Sequence, residues 1–207
     1  RDQDDISIEL KLSSDQNQDS RWLIGAYYAE IERDVAVSYG ADLGKGFELK
    51  SYVPASGKNP TDLMFDDSFN TDVFSIFGQY SVDLSDVTEL SIEGRYDKEK
   101  RSVNNNVPGV ASALYYGGGT PINPAMGAVG DIIPSRDKSF DQFQPKISLT
   151  TSADNTTVYA SYGVGFRSGG FNSSGSAATT EFWLNSGNPF GLGVVGAGLG
   201  VSDTFKK

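Results

Sequence analysis

The sequence predicts an all-β fold, an antiparallel up-and-down transmembrane β-barrel present in part, with about six to seven strands and long extracellular loops. Three observations predict it. Apolar residues recur with period two in six separate segments. The connections between those segments alternate between short and long. Aromatic residues gather toward both ends of the apolar faces.

The first segment, residues 6–13, places Ile6, Ile8, Leu10 and Leu12 on one face and Ser7, Glu9, Lys11 and Ser13 on the other. A helix would scatter these apolar residues around its circumference. The second, residues 21–31, is apolar on both faces, and Trp22, Ile24, Ala26 and Tyr28 are taken as the outward set. The third, about 72–82, carries Phe74, Ile76, Gly78, Tyr80 and Val82 opposite Ser75, Phe77, Gln79 and Ser81. The fourth, about 88–98, sets Leu90, Ile92, Gly94 and Tyr96 against Glu89, Ser91, Glu93, Arg95 and Asp97.

The fifth, about 140–151, sets Phe143, Pro145, Ile147 and Leu149 against Gln142, Gln144, Lys146 and Ser148. Pro145 lacks a ladder donor and is expected at a strand start or a bulge. The sixth, about 156–167, sets Val158, Ala160, Tyr162, Val164 and Phe166 against Tyr159, Ser161, Gly163, Gly165 and Arg167. A seventh strand is expected to begin near Val201.

Residues 14–20, 83–86 and 152–155 form short links rich in Asn, Asp and Ser, which favour turns. Residues 34–71, 101–139 and 168–200 form long ones. Compact soluble domains rarely hold several structureless links of about 30 residues. Transmembrane barrels place short turns on the periplasmic side and long loops outside. Strands one, three and five therefore run inward, and strands two, four and six run outward. Alternation by itself also fits a soluble sandwich, so the aromatic ends and the loop lengths carry the membrane assignment.

Composition excludes several classes of function. The chain has 207 residues, no Cys and no His. A disulfide framework and a thiolate metal site are ruled out, and the commonest general base and zinc ligand are missing. Apolar residues make up 38%, below the usual ~45–50%, which suits strands with one apolar face. A net charge of −10 and a pI near 4.4 argue against nucleic-acid binding. No apolar run approaches the ~20 residues of a membrane-spanning helix. The opening Arg1-Asp2-Gln3-Asp4-Asp5 contains no signal segment, and both ends read as cuts within a longer chain.

Residues 158–172, V-Y-A-S-Y-G-V-G-F-R-S-G-G-F-N, resemble the Y-A-S-Y-x-x-G-F-R-x-G-G-F-N stretch of TonB-dependent receptor barrels. Three further stretches are similar to that family, in its order. They are I-E-L-K-L-S-S at 8–14 with W-L-I-G-A-Y-Y at 22–28, F-G-Q-Y at 77–80 with L-S-I-E-G-R-Y at 90–96, and F-D-Q-F-Q-P-K-I-S at 140–148.

The resemblance covers most strands and none of the loops. It implies a barrel of about 22 strands with a plugged lumen, in the outer membrane of a Gram-negative bacterium. The implied ligand is a scarce nutrient such as a ferric siderophore, a cobalamin or a glycan. The implied partners are outer-membrane lipid, the plug domain of the same parent chain, and TonB acting through that plug. No plug domain and no TonB-box-like segment are found, so residues 1–207 are expected to be barrel alone, about a quarter to a third of one. A small complete outer-membrane barrel with a structural or adhesive role, and a secreted soluble β-sandwich binding module, remain as alternatives.

Few motifs carry chemistry. Gly191 to Gly196 matches G-x-G-x-x-G but has no strand before it, and Gly40 to Gly46 lacks the spacing and hydroxyl of a phosphate loop. The adjacent acids Asp66 and Asp67 are expected in a solvated loop. Tyr115, Tyr116, Phe182 and Trp183 are exposed-loop aromatics and the candidate ligand contacts. Glu93, Arg95 and Arg167 are the candidate lumen or plug contacts, Arg167 near the outer rim. No catalytic constellation is found. Glu89 and Glu93 share a face but stand about 13 Å apart at ~3.3 Å per residue, too far for a carboxylate pair. No cofactor is expected and the chain is not expected to be an enzyme.

Overall fold

The computed structural model describes residues 1–40, 42–46, 50, 52–107, 123–127, 131–181 and 202–205. Six strands form one antiparallel sheet in sequence order. They are β1 (Asp2–Ser13), β2 (Ser20–Gly40), β3 (Thr61–Ser85), β4 (Thr88–Asn105), β5 (Arg136–Ala153) and β6 (Thr156–Gly163). The sheet does not close, so the outer edges of β1 and β6 have no neighbouring strand among the described residues. A second, two-stranded sheet pairs β7 (Gly170–Phe171) with β8 (Thr204–Phe205), and a single helical turn, α1 (Ser176–Thr180), lies between them.

The two faces follow the predicted alternation. Rows of paired residues run straight across the outward face: Leu10, Ala26, Ile76, Tyr96 and Phe143 form one, and Trp22, Tyr80, Ile92, Ile147 and Tyr162 another. The outward side chains of β1 are 60–69% exposed from Ile6 to Leu12. A contiguous apolar face of this extent has no place in water, and hydrocarbon is the solvent that accommodates it. Its margins are aromatic. Tyr28 pairs with Phe74 and Tyr96 with Phe143 toward the long-loop end, and Trp22 pairs with Tyr80 toward the short-turn end.

The apolar band is oblique to the hydrogen-bonded rows, which reveals strand tilt. Its short-turn margin lies at Leu12 on β1, which projects through Ile24, Gly78 and Gly94 onto Pro145. On β6 the same margin lies at Val158, opposite Thr151. The margin thus moves six residues along the strand over five strand steps, about 1.2 residues per step. With ~3.3 Å per residue and ~4.8 Å between strands, the strands tilt by about 40° to the band, inside the ~35–45° of transmembrane barrels.

Strands β2, β3 and β4 run well beyond the predicted segments, so the links predicted at 34–71 and 101–139 shorten to residues 41–60 and 106–135. Alternation marks only the stretch with lipid on one side and lumen on the other. Past Tyr28 both faces meet polar surroundings, the contrast fades, and the backbone ladder continues from Glu30↔Asp72 to Gly40↔Thr61. Here the long connections pack down. Leu63, Val107, Met126 and Ile133 form a small core, flanked by Ala36 and Tyr52.

Three strand expectations are corrected. Pro145 is neither a strand start nor a bulge but lies within β5. Its carbonyl accepts from the Val164 N–H at 2.9 Å, so its absent N–H also faces the β6 side. Pro145 has no N–H to offer the Val164 carbonyl in return, and β6 stops at Gly163 instead of reaching Arg167. Phe166, expected on the outward face of the sixth strand, consequently lies past its end. The strand expected near Val201 is the short β8, which pairs with β7 and not with β6.

Candidate functional site

The inward face is polar, as the register requires, and its charges are paired in layers. Nearest the short turns, Arg21 donates to both carboxylate oxygens of Asp83, at 2.8 and 2.6 Å, and also to Glu89. One layer on, Lys146 pairs with Glu93 at 2.9 Å. Above it, Arg95 binds the Asp97 carboxylate at 2.7 Å and the Ser75 hydroxyl at 2.8 Å. Ser75 and Gln144 donate to Asp97 as well. Next, Glu99 accepts from Arg101, which also donates to Ser168 at 2.6 Å. Of these groups Asp97 is the most buried, and it is also the one with the most donors around it.

Phe77, a large apolar residue on this face of β3 between Ser75 and Gln79, is explained by its neighbour. It lies opposite Gly25, and a Cβ at residue 25 would stand 2.3 Å from the Phe77 ring. The ring thus fills the space glycine leaves, and Arg95 rests 5.7 Å above its centre.

At the long-loop end, residues distant in sequence converge. Asn123 is fully buried; its amide donates to the Ser174 carbonyl at 2.9 Å and the Met64 carbonyl at 3.2 Å, and its side-chain oxygen caps the 3-10 turn Pro124–Met126. Asp67, also fully buried, accepts from the Ser174 N–H at 2.7 Å and from Asn105 at 3.1 Å. The expected solvated loop at Asp66-Asp67 is instead part of β3, with the two side chains on opposite faces. Burial raises the Asp66 carboxyl above the usual carboxylate range, and repulsion from Asp34 and Asp67 adds to it.

The predicted contacts fall into three groups. Glu93 and Arg95 lie on the polar face of the sheet, where Lys146 and Asp97 already pair with them. Arg167 is exposed, beyond the end of β6, and is not brought to the other two. Tyr115, Tyr116, Phe182 and Trp183 lie outside the described residues, as does the Gly191 to Gly196 stretch.

A further site was not anticipated from the sequence. On the lumen side above the membrane band, a cavity of about 440 Å³ is lined by Arg33, Phe69, Thr71, Arg101, Phe171 and Phe205, among others. A signal for part of it existed. Carrying the parity of Tyr27 and Ser75 outward along their strands places Arg33 opposite Phe69 on the lumen face. The roof, from β7 and β8, has no such periodic mark.

No curated protein and no solved structure shows a significant match to the chain. The family model described as "TonB dependent receptor-like, beta-barrel" matches residues 2–191, in keeping with the lipid-facing band, the polar lumen face and the alternating connections, and the chain belongs to that family.

Proposed function

We propose that the chain supplies wall, rim and extracellular loops to an outer-membrane receptor that imports a scarce nutrient, and that it carries no catalytic step. The family is one of outer-membrane receptors, and the carrying observation here is the division of labour between the faces. One is apolar and exposed from Ile6 to Tyr162, suited to membrane lipid, and the other holds stacked ion pairs suited to a hydrated, filled lumen. In this proposal residues 1–207 are all barrel, and the plug belongs to another part of the parent chain. Glu93, Arg95 and Arg167 offer it lumen contacts, and TonB acts through it. Tyr115, Tyr116, Phe182 and Trp183 meet the nutrient first.

The test is genetic and nutritional. The natural gene carrying this chain is deleted, and growth is scored with ferric siderophores, cobalamin or glycans as the limiting source. Loss of growth on one class, restored by the intact gene and abolished again without TonB, is expected. Uptake that is indifferent to the deletion, or that survives without TonB, would refute the proposal.

A further inference from the structure

Arg33 stands out among the lumen-side cations. It lies above the membrane band, its guanidinium carbon 4.4 Å from the centre of the Phe69 ring. Its Nε, like that of Arg136, is buried with no hydrogen-bond partner. The other lumen arginines, Arg21, Arg95, Arg101 and Arg136, each have a carboxylate within 4.0 Å, whereas among the described residues no carboxylate pairs with Arg33. Its electrostatic neighbours make matters worse. Burial lowers its affinity for the proton, and Arg1 and Arg101 lower it further. A partly buried cation beside other cations, stacked on an aromatic ring, is a costly arrangement unless something negative completes it.

The surroundings define what that is. Arg33 and Arg101 both line the cavity, and Arg101 keeps only part of its donor set for Glu99 and Ser168. Phe69, Phe171 and Phe205 supply apolar and aromatic walls, and Asn172 and Thr71 supply neutral polar ones. No acidic side chain lines it among the described residues. Phe171 is itself held by Arg136, whose guanidinium lies 5.2 Å from the ring and donates to the Asp203 carbonyl at 2.9 Å. The roof is therefore tied to the strands below. About 440 Å³ falls within the usual ~300–1,000 Å³ of small-ligand sites.

We propose that this cavity binds a small organic anion, a carboxylate joined to a flat or apolar body, with the carboxylate on the Arg33 and Arg101 guanidinium groups and the body among Phe69, Phe171 and Phe205. The planar guanidinium forks match a carboxylate in two-point hydrogen bonding. The rings accept the body without needing a specific polar pattern. The proposal rests on the receptor reading above and narrows it, since it names the charge and shape of what the rim selects.

The test uses the intact natural receptor, purified in detergent, with benzoate as probe and benzamide as its neutral counterpart. Binding is followed by calorimetry. Saturable benzoate binding is expected, weakened by salt, with benzamide at least tenfold weaker. Arg33→Gln and Phe69→Leu should each weaken benzoate by tenfold or more. Heat-modifiable migration reports folding of each variant. Should Arg33→Gln fail to fold, Arg33→Lys keeps the charge, loses the fork, and is expected to bind several-fold more weakly.

Absence of saturable binding to the natural receptor, or binding unchanged in the Arg33 variants, overturns the proposal. So does a third outcome, in which benzoate is ignored while Arg33→Gln lowers thermal stability; that would assign the cation to a carboxylate of the receptor's own chain. These measurements need neither TonB nor growth, so they can fail while nutrient import stands, and import can fail while they stand.

Discussion

At Asp66 the chain half-buries a carboxyl group beside Asp34 and Asp67, and the consequence is a definite pH dependence. The folded pKa is raised, so the folded state holds this proton more tightly than the unfolded chain does. The resulting stability is present below the ordinary aspartate value of about 3.9. It is lost as pH rises through the raised folded value. Asp66→Asn removes the ionisation and should raise the unfolding temperature at pH 7, with little gain near pH 3.5. Circular dichroism melting in detergent at both pH values checks this, and an equal shift at both would contradict it. Asp67, one residue away, is held by different contacts. It is satisfied by Ser174 and Asn105, so its removal would leave the Ser174 N–H without its acceptor. Adjacency in sequence says nothing of this difference, because the pleat sends the two side chains to opposite faces.

Within β5 the same logic applies to a whole element. Ile147 belongs to the outward row with Ile92 and Tyr162, while Ser148 belongs to the inward row with Ser91 and Ser161. A charge placed mid-band on the lipid face costs ~2–4 kcal/mol, and one placed in the lumen costs far less. Ile147→Arg should therefore lower stability in lipid by that amount and Ser148→Arg by under ~1 kcal/mol, read by urea titration of the intact receptor in liposomes. Equal costs would show that the faces are misassigned. All six main strands were legible in the sequence, and facing was legible for every one but β2, whose two faces are both apolar, because lipid on one side and lumen on the other imprint a two-residue period. Strand ends were less so. β2, β3 and β4 run on where that contrast is gone, and β6 stops early because Pro145 withholds a donor on its side.

For the molecule as a whole, the stagger between apolar band and hydrogen-bonded rows is the quantity with a measurable consequence. A displacement of six residues over five strand steps corresponds to a tilt of about 40°. Polarised infrared dichroism of the intact receptor in oriented bilayers should give a mean strand tilt in that neighbourhood. A value near 20° would mean that the band drawn here is not the membrane boundary. The three short turns step in the same sense, from residues 14–19 through 86–87 to 154–155, as a tilted wall requires.

The sequence by itself determined the strand period, the lipid and lumen faces, the side on which the turns lie, and through its motifs the family. All of these depend on residues one or two positions apart, or on short local patterns that a single stretch of chain displays. Only the tertiary structure decided how far the strands rise above the membrane, that Asn123 and Asp67 tie the long connections to β3, and that Arg33 and Arg101 share a cavity roofed by Phe171 and Phe205. Those features join residues up to more than a hundred positions apart. Their partners are chosen by packing and unsatisfied charge, which leave no periodic mark on the chain.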